Sequence, residues 1–383
     1  FKRPYGPVAA MLSESLLSIV SPSAVKKLGN DGFAQAPVGT GPFKFVSWEH
    51  GRQLVMERND DYNWAPSFMK RQGPSAVKKL VSRFIPEAGT RVAALESGEI
   101  DVSDLTPALD MRRFAEGNKF KTMIGDSSGL PFGVQLNASR GIFSDVRVRQ
   151  AFIMSVDRKR MAQNLFFGSA KPAFGPLSST SPSYWPGVEQ YYPFDRKKAE
   201  ALLEEAGWKM GPGGIREKDG QPLSAVYYVP PPLEPETAVA VQAEAKRVGF
   251  DIKVENITFA RNSEIVFANT YDILPLRFIH GDPSVLEIMF HSRNIPEPGK
   301  YKFNWPRWSD PALDKLLETA GGTPNGPARD ELYHQAQKMV MDAAIWFPMH
   351  NQVETIAYNA KLVGLRFART SWNVRFYEVT TTQ

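Results

Sequence analysis

The chain has 383 residues, 42% of them hydrophobic and 23% charged, and that length sets an expectation of two domains of roughly 100–200 residues each. No run of 18 or more apolar residues is present, which excludes a membrane-spanning helix. The absence of Cys excludes disulfides, thiolate metal sites and a Cys nucleophile, and the 46 Lys and Arg against 41 Asp and Glu are spread along the chain, so nucleic-acid binding is not expected.

The missing Cys also fits a mature protein from an oxidising compartment. Phe1-Lys2-Arg3-Pro4-Tyr5-Gly6-Pro7 has neither an initiator Met nor a signal-peptide pattern. It reads as a start after a processing site, or partway into a longer protein.

In chain order, residues 37–58 predict a hairpin turning at Glu49-His50-Gly51-Arg52. Lys79 to Ile85 predicts a strand, Thr90 a helix cap, Gly98 a helix stop, and Ile100-Asp101-Val102 a further strand. That order reads as βαβ and argues for an α/β fold. Residues 130–137 read as extended, and Arg147 to Phe167 as one helix ending at Gly168. Asp195 caps a helix with Ala199, Leu202, Leu203 and Ala206 on one face. Gln221 to Tyr228, Ile252 to Val254 and Tyr271 to Phe278 read as strands, with a helix over Thr237 to Val248. Asp310 and Pro311 open a helix, a last one runs from about Arg329 to Ala344, and Val353 to Leu365 is extended.

Gly125-Asp126-Ser127-Ser128-Gly129 matches the G-x-S-x-G nucleophile elbow. An elbow needs a helix directly after the serine, whereas Leu130 to Leu136 reads as a strand. A polar turn is therefore the reading set against a hydrolase built on Ser127. His280, Asp282 and His291 permit a two-His, one-carboxylate metal site but do not specify one. No dinucleotide fingerprint or P-loop is present, so no cofactor is expected.

Pro37-Val38-Gly39-Thr40-Gly41-Pro42-Phe43 and Glu57-Arg58-Asn59-Asp60-Asp61-Tyr62 carry a resemblance, and later stretches agree in order. These are Arg91 to Asp101, Asp145 to Phe152 with Val156-Asp157-Arg158, Phe194 to Trp208, Asp282-Pro283 and Trp308-Ser309-Asp310-Pro311. Together they resemble the extracellular solute-binding proteins of ABC importers, the peptide/nickel/opine family. The resemblance implies a two-lobed α/β periplasmic binding protein of type II, the large cluster-C kind, with a ligand cleft between hinged lobes that close on the solute. Such proteins carry strands and a small subdomain ahead of the Gly39-Thr40-Gly41-Pro42 stretch, so the N-terminal part of the first lobe is expected to be missing here. Residues 1–130 would be the rest of that lobe, 131–350 the second lobe, and 351–383 a return to the first.

The resemblance further implies a periplasmic, monomeric receptor, not an enzyme, that hands a small molecule to ABC importer permease subunits. In Leu274 to Pro283, the pocket-lining parity carries Arg277, Ile279 and Gly281. Peptide-binding relatives tend to carry Asp where Ile279 stands, and nickel-binding relatives aromatics at Arg277 and Gly281. What remains is Arg277, suited to a carboxylate, with an ion pair to a nearby Asp or Glu as the alternative. The expected solute is then an opine, a modified amino acid or a short peptide, with a metal chelate as second reading and no metal ligands assigned. Phe132, Trp185, His280, Asn304 and Trp305 are the secondary candidates.

Overall fold

The computed structural model describes residues 4–13, 17–233, 235–368, 370 and 373–382. The chain divides into a larger unit, Phe1–Met11 with Asp126–Val353, and a smaller one, Leu12–Gly125 with Glu354–Gln383.

The larger unit is built on a mixed five-stranded sheet. Its strands are β1 (Gly129–Leu136), β2 (Ser224–Val229), β3 (Asp251–Asn256), β4 (Ile273–Ile279) and β5 (Trp346–His350). They lie in the order β3-β2-β4-β1-β5, with β2 parallel to both β3 and β4, and β1 antiparallel to β4 and β5. Every residue of β1 is buried, as a central strand covered on both faces requires. Val134, Leu136, Phe347 and Met349 pack with Phe152, Leu203 and Val241 in one cluster, whereas Trp346 packs with Phe290, Leu317 and Val340 in another. Gly133 is where these demands meet. A Cβ there would lie 2.6 Å from the Trp346 ring and 2.7 Å from the Phe347 carbonyl.

The helices start where side chains can satisfy the free N–H groups of the first turn. Asp195 accepts from the Lys198 N–H and Asp310 from those of Ala312 and Leu313. The stretch expected as one helix from Arg147 is two, Val146–Met154 and Arg158–Phe166, because Asp157 leaves the helical conformation and caps the second. The first carries Arg149, 2% exposed, which donates to the carbonyls of Phe143, Ser144 and Ala343.

The smaller unit holds a three-stranded antiparallel sheet of Phe43–Glu49, Gln53–Arg58 and Lys79–Arg83. A second small sheet orders Val102–Ser103, Val353–Asn359 and Phe120–Asp126. Lys79–Arg83 and Val102–Ser103 therefore belong to different sheets, and the expected βαβ unit is not formed. The intervening helix Ala88–Ser97 is capped by Glu87 rather than Thr90, its carboxylate accepting from the N–H groups of Gly89 and Thr90. Gly98 stops that helix with a left-handed φ of 81°.

Candidate functional site

Two irregularities fall at one level of β1, on either side of Phe132. Toward β4, the register shifts between the pairs Leu276–Gly133 and Phe278–Leu130, so that Arg277 faces both Pro131 and Phe132. Toward β5, Met349 is the extra residue between the pairs Pro348–Gly133 and His350–Phe132. Such bulges re-aim side chains at sheet ends and beside functional sites. Here they place an exposed cation, Arg277, and a buried imidazole, His350, on the two strands that flank the buried Phe132.

The rings are in contact. Phe132 stacks on His350 with centroids 4.9 Å apart and planes 14° apart, and the half-buried Phe166 lies 4.3 Å from the same imidazole. His350 Nδ1 is 3.0 Å from the carbonyl of Asn351. A carbonyl only accepts, so the ring proton sits on Nδ1. Burial, aided by the charge of Arg277 and only partly opposed by that hydrogen bond, lowers the His350 pKa to about 4. At neutral pH the imidazole is therefore uncharged and its Nε2 carries a lone pair.

Arg277 is spared for other work. Among the described residues its guanidinium makes no hydrogen bond or ion pair, and the alternative of a pairing with Asp or Glu is not formed. Further along β4, Ile279 pairs with Gly129 and is half-buried, as is Gly281 beyond the strand end. His280 is 6% exposed and turned inward, its Nδ1 2.7 Å from the Asp282 carbonyl. Asp282 is held by Arg329 through two hydrogen bonds of 2.9 and 2.8 Å, both side chains almost fully buried.

Asn304 and Trp305 stand apart from this group. Asn304 is fully buried and donates to the carbonyls of Phe290, His291 and Trp308, so it fastens its own loop and offers nothing to a solute. Trp305 is 3% exposed, packs with Ile265, Tyr271 and Leu274, and spends its indole N–H on the Lys302 carbonyl. Trp185 lines a separate cavity of about 450 Å³ with Tyr191, Tyr192 and Lys198, which contains none of the sheet residues. That cavity is shaped by helix packing. By contrast, the β1 level holds an unpaired cation on one flanking strand and a neutral imidazole on the other.

The Ser127 motif has a structural explanation. Gly129 has φ +104°, and a Cβ on it would lie 2.3 Å from the Phe278 carbonyl oxygen. Ser127 is 1% exposed and leads straight into β1, with no helix after it. Among the described residues its Oγ has no hydrogen-bond partner, so no base stands ready to activate it. The possible metal set is likewise dispersed. His280 binds backbone, Asp282 binds Arg329, and His291 faces Asp314 and Glu318. Among the described residues no group of three or more His, Asp or Glu could hold a metal ion.

Comparison with known proteins places this sheet in a family. Residues 1–295 match the family model of the bacterial extracellular solute-binding proteins, family 5, middle region. The chain belongs to this family. As a family 5 solute-binding protein it has the mixed α/β architecture of the two-lobed periplasmic binding proteins. NikA from Brucella suis, in complex with Fe(III)-EDTA, superposes with a TM-score of 0.86 at 24% identity, over 100% of this chain and 76% of that one. Protein XP55 of Streptomyces lividans is 31% identical over 360 residues, covering 91% of this chain and 62% of that protein. The oligopeptide-binding protein AppA of Bacillus subtilis is 27% identical over 326 residues, covering 83% and 57%. The chain thus spans about three fifths of the length of the curated relatives it matches. No helix among the described residues is long and apolar enough to cross a membrane.

Sequence reasoning singled out Arg277 and Phe132 but not their neighbours His350 and Phe166. His350 was one of five histidines with no local motif. Only the antiparallel pairing of β5 with β1 carries it to Phe132.

Proposed function

We propose that this chain is the greater part of a periplasmic receptor that captures a small organic solute bearing a carboxylate and delivers it to the permease of an ABC importer. The observation that carries this reading is Arg277: exposed, unpaired among the described residues, and beside the aromatic pair Phe132 and His350. A planar guanidinium grips a carboxylate with two parallel hydrogen bonds, and an aromatic neighbour favours the ligand's apolar part. The named relatives support the class. Oligopeptides end in a carboxylate, and the EDTA of Fe(III)-EDTA is an aminocarboxylate. Opines and modified amino acids carry the same group. Ile279, in place of a carboxylate that would pair with a peptide ammonium, argues against a simple peptide receptor.

Native mass spectrometry of the full-length protein tests the reading. The expected result is a co-purified solute that loses its affinity once its carboxyl group is esterified. A co-purified solute with no acidic group would overturn it.

A further inference from the structure

We infer that His350 is a specificity-determining residue of this site, its Nε2 accepting a hydrogen bond from an N–H or O–H group that the solute carries beside its carboxylate. The inference rests on the reading of Arg277 as the carboxylate's partner and names what else the solute must present. Three observations carry it.

The first is placement. His350 and Arg277 flank Phe132 from opposite neighbouring strands, each beside a register shift that falls at the same level of β1. The charge of Arg277 is close enough to act on the imidazole. A solute held by Arg277 would then lie beside Phe132, the residue on which the imidazole stacks.

The second is the tautomer. Nδ1 donates to the Asn351 carbonyl, which leaves Nε2 as an acceptor and never a donor while the ring is neutral. An acceptor beside a cation selects a two-part ligand: an anionic oxygen for Arg277 and a donor hydrogen for the imidazole. An acyl-amino acid, with its amide N–H next to a carboxylate, has that pattern, and so does a hydroxy acid. A ligand with acceptors only would leave the imidazole lone pair facing another lone pair.

The third is rigidity. The imidazole is held between Phe132 and Phe166 and is 9% exposed, so two packed rings fix its orientation. Close by, Lys171 and Asp126 pair with each other at 3.3 Å, so that carboxylate is already partnered.

The test compares two probes of the same shape by titration calorimetry at pH 7.5. Hippurate has an amide N–H beside its carboxylate, and benzoyloxyacetate has an ester oxygen in place of that N–H. Wild-type protein is expected to bind hippurate about ten-fold more tightly, the discrimination a single hydrogen bond supplies. His350→Asn keeps a donor for the Asn351 carbonyl but deletes the Nε2 acceptor. It is expected to bind both probes alike, at the wild-type affinity for benzoyloxyacetate. Arg277→Ala is expected to weaken both probes while keeping their ratio. Equal affinity of the two probes for wild-type protein, or an unchanged ratio in His350→Asn, overturns the inference about His350 alone. Binding of both probes unaffected by Arg277→Ala, or no binding of either to wild-type protein, overturns the carboxylate reading beneath it. A second measurement needs no variant: the ¹⁵N signal of His350 Nε2 is expected to move on adding hippurate and stay on adding benzoyloxyacetate. Identical responses to the two would contradict the inference.

Discussion

His350 stacks on Phe132 with ring planes 14° apart, and this contact ties the edge strand of the sheet to its central strand where both are irregular. The imidazole is enclosed and uncharged, and its pKa of about 4 links its protonation to folding. The unfolded chain takes up the proton near the ordinary His value of about 6.5, and the folded chain only near 4. Stability is thus highest above pH 6.5 and falls as the pH drops from 6.5 to 4, because the unfolded state binds more protons there. The expected contribution of this residue is about 3 kcal/mol, from roughly 1.4 kcal/mol per pKa unit. Urea unfolding at pH 7 and pH 4.5 should show a smaller loss for His350→Asn than for the wild type. Equal losses would contradict the burial assigned to His350.

Arg149 is buried without a carboxylate, its guanidinium bonded to three carbonyl oxygens. Burial lowers its pKa to about 10, so it remains charged at physiological pH. Replacing it with Met leaves the Phe143, Ser144 and Ala343 carbonyls without these donors. The expected loss is about 3 kcal/mol or more, at roughly 1–3 kcal/mol for each buried group left unpaired. Chemical unfolding of Arg149→Met measures it, and a change below about 1 kcal/mol would show that water replaces the side chain.

Asp282 and Arg329 form a two-pronged ion pair, 6% and 3% exposed at their side chains. Burial raises the Asp282 pKa, but hydrogen bonds from Arg329 and Ser284 outweigh it and leave the net value below the ordinary carboxylate range. The pair's stabilisation is present above about pH 4 and is lost as acid protonates the carboxylate. Asp282→Asn is expected to destabilise by about 3–5 kcal/mol, the usual result of leaving a buried charge unpaired. A melting curve that no longer depends on Asp282 protonation would accompany that loss.

Gly133→Ala tests the packing beneath the site. Its added methyl would press on the Trp346 ring and the Phe347 carbonyl, which belong to β5 like His350. The expected effect is about 1–3 kcal/mol of overpacking strain. Tryptophan fluorescence should shift with it, and an unperturbed spectrum would mean that β5 slides without resistance.

Much of the larger unit was legible from local rules. Asp195 and Asp310 announce helices because capping needs only a side chain and the next three residues. The apolar run from Leu130 to Leu136 announces a buried strand for a similar reason. The break at Asp157 is marked only by the short run Ser155-Val156-Asp157, weak helix formers of which Asp157 caps the second helix, and the helix-favouring residues on both sides mask it. The helix Phe259–Ala268 was not anticipated either, since its Asn262 and Ser263 obscure the apolar face of Ile265 and Val266. The site was partly readable. Arg277 and Phe132 sit on strands whose alternation could be counted, whereas His350 reaches them across 218 residues of sequence from Phe132 through strand pairing alone. Asn304 and Trp305 look like pocket residues in a linear reading. Their hydrogen bonds to loop carbonyls, invisible in sequence, occupy them.

The central claim is that Arg277 holds the solute's carboxylate. The most direct measurement strips the full-length protein of its co-purified solute and titrates that solute back into wild-type and Arg277→Ala protein. Loss of a charge-assisted hydrogen-bond pair predicts about 10- to 100-fold weaker binding for the variant. Unchanged affinity in Arg277→Ala would contradict the account.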